Sequence, residues 1–486
     1  MLFGAVLQQL FARKSVELLH EELAGHDRLH RVLGPWALTA LGVGAIIGAG
    51  IFVLTGLAAR DFAGPSLVLS FVFAGVGCAL AGLCYAEFAA MIPVAGSAYT
   101  YAYATLGELL AWIIGWDLVL EYAIASCAVA HGWSHYFQAF LGLYGYQLPG
   151  WLASDPFSAT PETLAAAWQV GPLPVVFDAP ALAISLALTG ILILGIRQSA
   201  AVNTVIVFLK LAIVLFVIVA GIPHVDPANW SPFFPFGLAG TFSGAAYVFF
   251  AYIGFDSIST HAEEAKDPDR DVPFGILVSL GVCTFLYIAV AAVLTGMVPY
   301  DTIDIDAPIV AAFSERGLGV ASVIISVGAL AGITSVLLVM MLSQARVLLA
   351  MARDGLLPFW LFGAVHPKFR TPHRSTAMVG LIVGVIAALV PLKALADLVN
   401  IGTLFAFVVV CAAVLVMRRT RPEVRRPFRT PWVPFVPIAG ILANFALMLS
   451  LGWHNWARLL VWLLLGFVIY AAYGYRHSHL AASARR

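Results

Sequence analysis

The sequence predicts an all-α membrane protein of twelve transmembrane helices, and three observations carry that prediction. Of 486 residues 61% are hydrophobic and only 11% are charged, more apolar surface than a water-soluble fold can hide. Apolar stretches of about 20 residues, the length that spans a hydrocarbon core of roughly 30 Å, recur from Trp36 to about Tyr475. Lys and Arg concentrate on alternate connections between those stretches.

With Gly/Pro pairs and charge clusters as breaks, spans fall near 36–58, 66–91, 104–130, 180–197, 199–222, 240–262, 273–299, 318–350, 375–391, 396–417, 433–450 and 457–475. The third and eighth are longer than a bilayer needs and are expected to tilt. Ahead of the first span, Leu7, Leu10, Phe11, Val16, Leu19 and Leu23 recur at helical spacing among charges. That pattern reads as a surface-lying amphipathic helix, or equally as an ordinary packing helix or a tail. Arg13, Lys14 and Glu17 interrupt it early and no small-residue cleavage site follows, so a cleaved signal peptide is not expected. The longest hydrophilic pieces are this N-terminal segment and the loop from about Leu143 to Asp178, too little for a soluble catalytic domain.

If the N-terminus is cytoplasmic, twenty-one of the 26 Lys and Arg lie on that side. Only Arg60, Arg316 and Lys393 lie outside, with Arg458 at a helix end and Lys210 inside a span. The asymmetry supports both the orientation and the count of spans, since one missed helix would scatter the basic loops. The formal net charge is zero and has no bearing on nucleic acid, which is not expected as a partner; what matters is where the basic residues sit. All five cysteines, Cys78, Cys84, Cys127, Cys283 and Cys411, sit in apolar stretches and read as packing residues rather than a disulfide or metal framework.

Two spans are predicted to break. The first carries Gly42, Gly44, Gly48 and Gly50 within Gly42-Val43-Gly44-Ala45-Ile46-Ile47-Gly48-Ala49-Gly50, and each glycine disfavours helix by about 1 kcal/mol relative to alanine. Non-helical backbone at mid-membrane is tolerable only where it lines a cavity. Freed amides of Gly48, Ala49 and Gly50 at the start of the outer half-helix would attract an anion such as a carboxylate. The competing reading is close helix packing through small residues. The sixth span places Gly254 and Asp256 inside Phe249-Phe250-Ala251-Tyr252-Ile253-Gly254-Phe255-Asp256, where carbonyls of Phe250, Ala251 and Ile253 could accept from an ammonium. Five spans separate the two breaks, an odd offset that runs the helices in opposite directions and suits an inverted repeat with its site at the midplane. Donors for an anion on one helix and acceptors for a cation on the other describe a zwitterion, hence an amino acid rather than a sugar or a drug.

Three ionisable groups stand out inside spans: Glu121 in the third, Lys210 in the fifth and Asp256 in the sixth. Each costs roughly 2.5–3.5 kcal/mol at a helix centre, so each needs a partner or a wet cavity. Burial penalises the charged form of Lys210, which would let it load and release a proton near neutral pH; a static ammonium on backbone carbonyls is the alternative. For Glu121 and Asp256 a structural role in helix contacts stands beside one in coupling. His131 and His135, near the outer end of the third span, read as interfacial rather than as metal ligands. No spacing of His, Cys and acids indicates a metal or a nucleophilic triad, so neither an enzyme nor a cofactor is expected.

Gly44-Ala45-Ile46-Ile47-Gly48-Ala49-Gly50-Ile51-Phe52 resembles the broken first helix of the amino acid–polyamine–organocation superfamily. The likeness continues through Tyr85-Ala86-Glu87-Phe88, Pro93 to Tyr101, Gly115-Trp116-Asp117 to Tyr122, Phe250 to Asp256, and Arg346 through Arg353-Asp354-Gly355-Leu356-Leu357-Pro358. In order and spacing these are similar to the cationic amino acid transporter branch and its bacterial relatives, over nearly the whole chain. The resemblance implies a LeuT-like five-plus-five inverted repeat with two extra helices. The division is then 1–34 as a cytoplasmic segment, 35–222 and 223–418 as the repeats, and 419–486 as the last two helices and a cytoplasmic C-terminus. It implies that backbone around Ile46, Ile47, Gly48, Ala49 and Gly50, with Phe250, Ala251 and Ile253, holds the substrate's amino and carboxylate groups. It also implies that Lys210 takes the place of a sodium ion. On the eighth helix Met340 stands where animal cationic transporters tend to carry a small polar residue, narrowing the pocket and offering nothing to a second cation. The expectation is a sodium-independent proton symporter of the cytoplasmic (inner) membrane for a small neutral L-amino acid such as alanine. An arginine or lysine transporter, or an exchanger, is the runner-up, and an ion channel is the alternative from another class. The sequence names no accessory subunit, and a small single-helix one is left open.

Overall fold

A computed structural model describes residues 9–14, 33–92, 97–171, 173–195, 200–369 and 371–480. Most of the N-terminal helical pattern, residues 93–96 of the family-like motifs, and Arg28, Arg31, Arg197, Arg370, Arg485 and Arg486 lie outside them.

The chain is mainly helical. Pro35 at the first helical position, with no amide to leave unsatisfied, opens α1 (Pro35–Ile46). After an interruption the helix resumes as a wide π-turn over Gly50–Leu54 and runs on through Ala59–Ala63. There follow α2 (Leu67–Met91), a short helix over Ser97–Thr105, and α3 (Glu108–Gly142). The third span therefore starts later than the predicted 104–130 and ends later too, because Gly107 at φ +107° breaks the chain between the two helices. Next come α4 (Ala179–Leu194), capped by Asp178 and ended by left-handed Gly195, and α5 (Ala200–Gly221). The set closes with α6 (Gly237–Val248), α7 (Pro268–Met297), α8 (Gly319–Arg353), α9 (His373–Leu389), α10 (Leu392–Thr420), α11 (Phe435–Ser450) and α12 (Trp453–Ile469).

Among the described residues eight stretches are long and apolar enough to cross a membrane, and four shorter apolar helices accompany them. At about 1.5 Å per residue, the 35 residues of α3 and of α8 exceed a roughly 30 Å hydrocarbon core, as their sequence lengths predict. The prediction of an all-helical chain needs one correction. The loop after α3 holds a two-stranded antiparallel hairpin, β1 (Trp168–Val170) with β2 (Leu173–Val175), which turns through Gly171 at φ +64°. Six residues of strand carry too little alternation to register beside twelve apolar runs.

Helices α1, α2, α3, α7, α8 and α10 form the interior, with α3 against α8 and α10, and α7 against α1 and α2. The outer faces of α5 and α12 leave Val205, Phe208, Val219, Val461 and Leu464 exposed, an apolar surface suited to lipid rather than water. α12 is fastened to α3 by reciprocal indole bonds: Trp116 Nε1 donates to the Trp462 carbonyl at 2.9 Å and Trp462 Nε1 to the Trp116 carbonyl at 3.0 Å. All five cysteines are buried.

Candidate functional site

The two interruptions meet at the centre of the molecule. α1 ends where Ile47 turns extended, at φ −72° and ψ 106°, and helix resumes at Gly50. α6 tightens to a 3₁₀ turn over Phe249–Tyr252, and Ile253 at ψ 133° leads into Gly254 at φ +120°. A side chain at Gly50 would collide with the Ala251 backbone, and one at Gly254 would lie 2.7 Å from the Ala45 carbonyl oxygen. Backbone therefore lies directly on backbone at two places, which only glycine permits. The Tyr287 hydroxyl, from α7, lies 2.9 Å from the Ile46 carbonyl oxygen and 2.9 Å from that of Ala251, one proton facing an acceptor on each broken helix.

α8 packs on the first break. Val336 contacts the position a side chain at Gly48 would occupy, 2.7 Å from its Cγ2. Met340 is one turn further along the same face and is buried. One turn earlier, Gly332 leaves room for the Lys210 stem. Lys210 is 1% exposed, and its Nζ donates to the Gly44 carbonyl at 2.5 Å, four residues before Gly48. Ile46, Ile47, Ala49, Phe250, Ala251 and Ile253 are all buried.

The acids form a second, adjoining cluster. Asp256 accepts from the Tyr122 hydroxyl at 2.5 Å, and Glu121, the neighbouring residue on α3, is buried beside Thr403 and Asp256. Lys210 bonds instead to the Gly44 carbonyl of α1. Three further acids inside predicted spans carry weight that the sequence reading did not give them. Asp117 is fully buried, with no hydrogen-bond donor to either carboxylate oxygen among the described residues. It precedes Glu121 by four residues, and that spacing on one helix face was the signal that could have found it. Glu108 accepts from Tyr103 at 3.0 Å, from Tyr470 at 2.8 Å and from Ser478. Glu87 holds Arg418 through two bonds of 3.0 and 2.7 Å and accepts from the Thr430 amide at 2.8 Å. Tyr287 was also missed, because a tyrosine in a long apolar helix leaves no local pattern. His131 is 2% exposed and its Nδ1 lies 3.1 Å from the Ala387 carbonyl oxygen.

A mainly helical, multi-pass chain with broken helices in backbone contact and a buried lysine beside them has the build of a membrane transporter. The sequence family described as "Amino acid permease" matches residues 33–473, and the chain belongs to that family, within the amino acid–polyamine–organocation superfamily. Among its relatives it is 47% identical over 476 residues to the methylthioribose transporter of Bacillus subtilis (strain 168), covering 98% of this chain and 100% of that one. It is 48% identical over 472 residues to the branched-chain amino acid permease BcaP of the same organism, covering 97% and 99%. To the vacuolar cationic amino acid transporter 2 of Arabidopsis thaliana it is 39% identical over 423 residues, covering 86% of this chain and 64% of that protein.

Proposed function

We propose that this chain is a sodium-independent proton–amino acid symporter that carries a neutral amino acid inward by alternating access. In this reading twelve transmembrane helices form two inverted repeats, 35–222 and 223–418, with 419–486 adding the last two helices. Both termini face the cytoplasm, and the membrane is the cytoplasmic one. The observation that carries the reading is the meeting of the α1 and α6 interruptions, with Lys210 donating to Gly44 beside them. Amides at Gly48, Ala49 and Gly50 would hold the substrate carboxylate, and carbonyls at Ile46, Phe250, Ala251 and Ile253 its ammonium; the Ile47 amide itself is spent on the Val43 carbonyl at 2.9 Å. Lys210 supplies the cation of the coupling site; Glu121 and Asp256 assist by accepting charge in the adjoining cluster.

The buried Met340 supports a neutral side chain, since a thioether gives no partner to a guanidinium or second ammonium. Likeness to a branched-chain amino acid permease points the same way. One proton moving down about 150 mV supplies ~3.5 kcal/mol, enough to concentrate substrate a few hundred-fold.

The test is uptake into proteoliposomes with an imposed pH gradient, with labelled alanine, leucine, arginine and methylthioribose. Stimulation by inward protons without sodium supports symport, whereas dependence on internal substrate means exchange. Uptake of methylthioribose with none of any amino acid would overturn the zwitterion site, and single-channel current would overturn the carrier. Lys210→Ala is expected to abolish proton-driven uptake while retaining some substrate binding. Unimpaired uptake in that variant removes the lysine from the mechanism. Met340→Ser is expected to admit arginine, read as arginine competition that the parent lacks.

A further inference from the structure

A cluster that the transport reading does not use lies at the far end of α3, on a cavity of about 820 Å³. His131 and His135 are four residues apart on α3, which puts both imidazoles on one face, ring centroids 4.5 Å apart. Asp178, the cap of α4, meets them from across the loop. One carboxylate oxygen, Oδ1, accepts from the Ser134 hydroxyl at 2.6 Å and the Ala181 amide at 3.0 Å. The other, Oδ2, is buried, has no hydrogen-bond donor among the described residues and lies 3.7 Å from His131 Nδ1. A fully buried carboxylate oxygen left without a donor is costly, and the group it faces is a pair of imidazoles.

We infer that His131, His135 and Asp178 form a binding site for a divalent transition metal of the zinc class, facing the cavity. One ligating atom from each lies within 4.8 Å of the others. A tetrahedral site with bonds of about 2.0–2.1 Å needs separations near 3.3 Å, within reach of side-chain rotation. The two imidazoles select zinc and its neighbours over calcium or magnesium, which take oxygen ligands, and the carboxylate is a ligand that zinc also accepts. The outer shell is in place as well. Asp306 Oδ1 lies 2.9 Å from His135 Nδ1, able to fix the tautomer that leaves the other nitrogen of that ring for the metal, and the Ala387 carbonyl, 3.1 Å from His131 Nδ1, orients the second ring. Water from the cavity would complete the fourth position.

The test uses tag-free, full-length protein in detergent, stripped of metal and titrated with Co²⁺ and then Zn²⁺. The expected result is saturable binding of about one Co²⁺ with the intense visible bands of a tetrahedral centre, abolished on Zn²⁺ addition. His131→Ala and His135→Ala are each expected to weaken binding at least tenfold. So is Asp178→Asn, which keeps the helix cap because asparagine caps as well as aspartate. Metal-free melting temperatures of the variants establish that they fold, and His135→Gln replaces any alanine variant that does not. Absence of saturable binding, or affinities within twofold of the parent in folded variants, would overturn the site.

Discussion

Gly254 shows at the residue scale how little freedom the centre of the molecule allows. Its φ of +120° is hostile to any L side chain, and a methyl group there would press on the Ala45 carbonyl. Gly254→Ala is expected to cost about 2 kcal/mol or more, read as a lowered melting temperature in detergent; an unchanged value would mean that the backbone relaxes freely. The glycine was visible in the sequence as an interruption of an apolar run, but its contact was not, because Ala45 is more than two hundred residues away. Tyr287 was not legible at all. Its two carbonyl partners come from different broken helices, so its importance exists only once those helices are assembled. Tyr287→Phe should cost about 1 kcal/mol of stability and slow uptake several-fold at unchanged protein level. Full activity in that variant would mean that the hydroxyl is dispensable to the breaks.

At the scale of elements, the two interrupted helices were the most legible features, since glycine density and a mid-span acid are local signals. The ends of elements were less so. The start of α3 depends on Gly107, and the end of α10 on a distant acid: Arg418 and Arg426 both lie against Glu87 of α2, at 2.7 and 3.4 Å. Arg418 also sits in the last turn of α10, where a cation suits the helix dipole. Removing the acid takes the counter-charge from two guanidinium groups in a partly buried place, which among the described residues keep only backbone carbonyl partners. Glu87→Ala is therefore expected to destabilise the protein by about 3 kcal/mol, and Glu87→Gln by less, in thermal unfolding of the detergent-solubilised protein. Equal melting temperatures for all three would show that solvent replaces the carboxylate.

For the molecule as a whole, class and family could be read from composition and dispersed motifs, because the demand of lipid for apolar surface acts on every span at once. The metal-like cluster was not readable, since Asp178 is more than forty residues from His131 and the chain comes back to it through a hairpin and two short helices. Sidedness rests on the distribution of Lys and Arg and has its own check. Phe157, in the loop after α3, is 80% exposed, and the native cysteines are all buried. Phe157→Cys should react with an impermeant maleimide added to intact cells, while a C-terminal fluorescent protein that matures only in the cytoplasm should fluoresce. Labelling only after permeabilisation would reverse the orientation.

The double backbone contact of the broken helices has a mechanical consequence. Gly50 on Ala251 and Gly254 on Ala45 are two separated points of close contact that resist sliding of one broken helix along the other, so α1 and α6 are expected to move as one block. Shear must then be taken up at a smoother seam, and α8 offers one where Gly328 and Gly332 meet Ile213 and Lys210 of α5 without a side chain of their own. The bond from Lys210 to Gly44 runs from α5 to that block, and it is the tether that any rolling of the block would strain first.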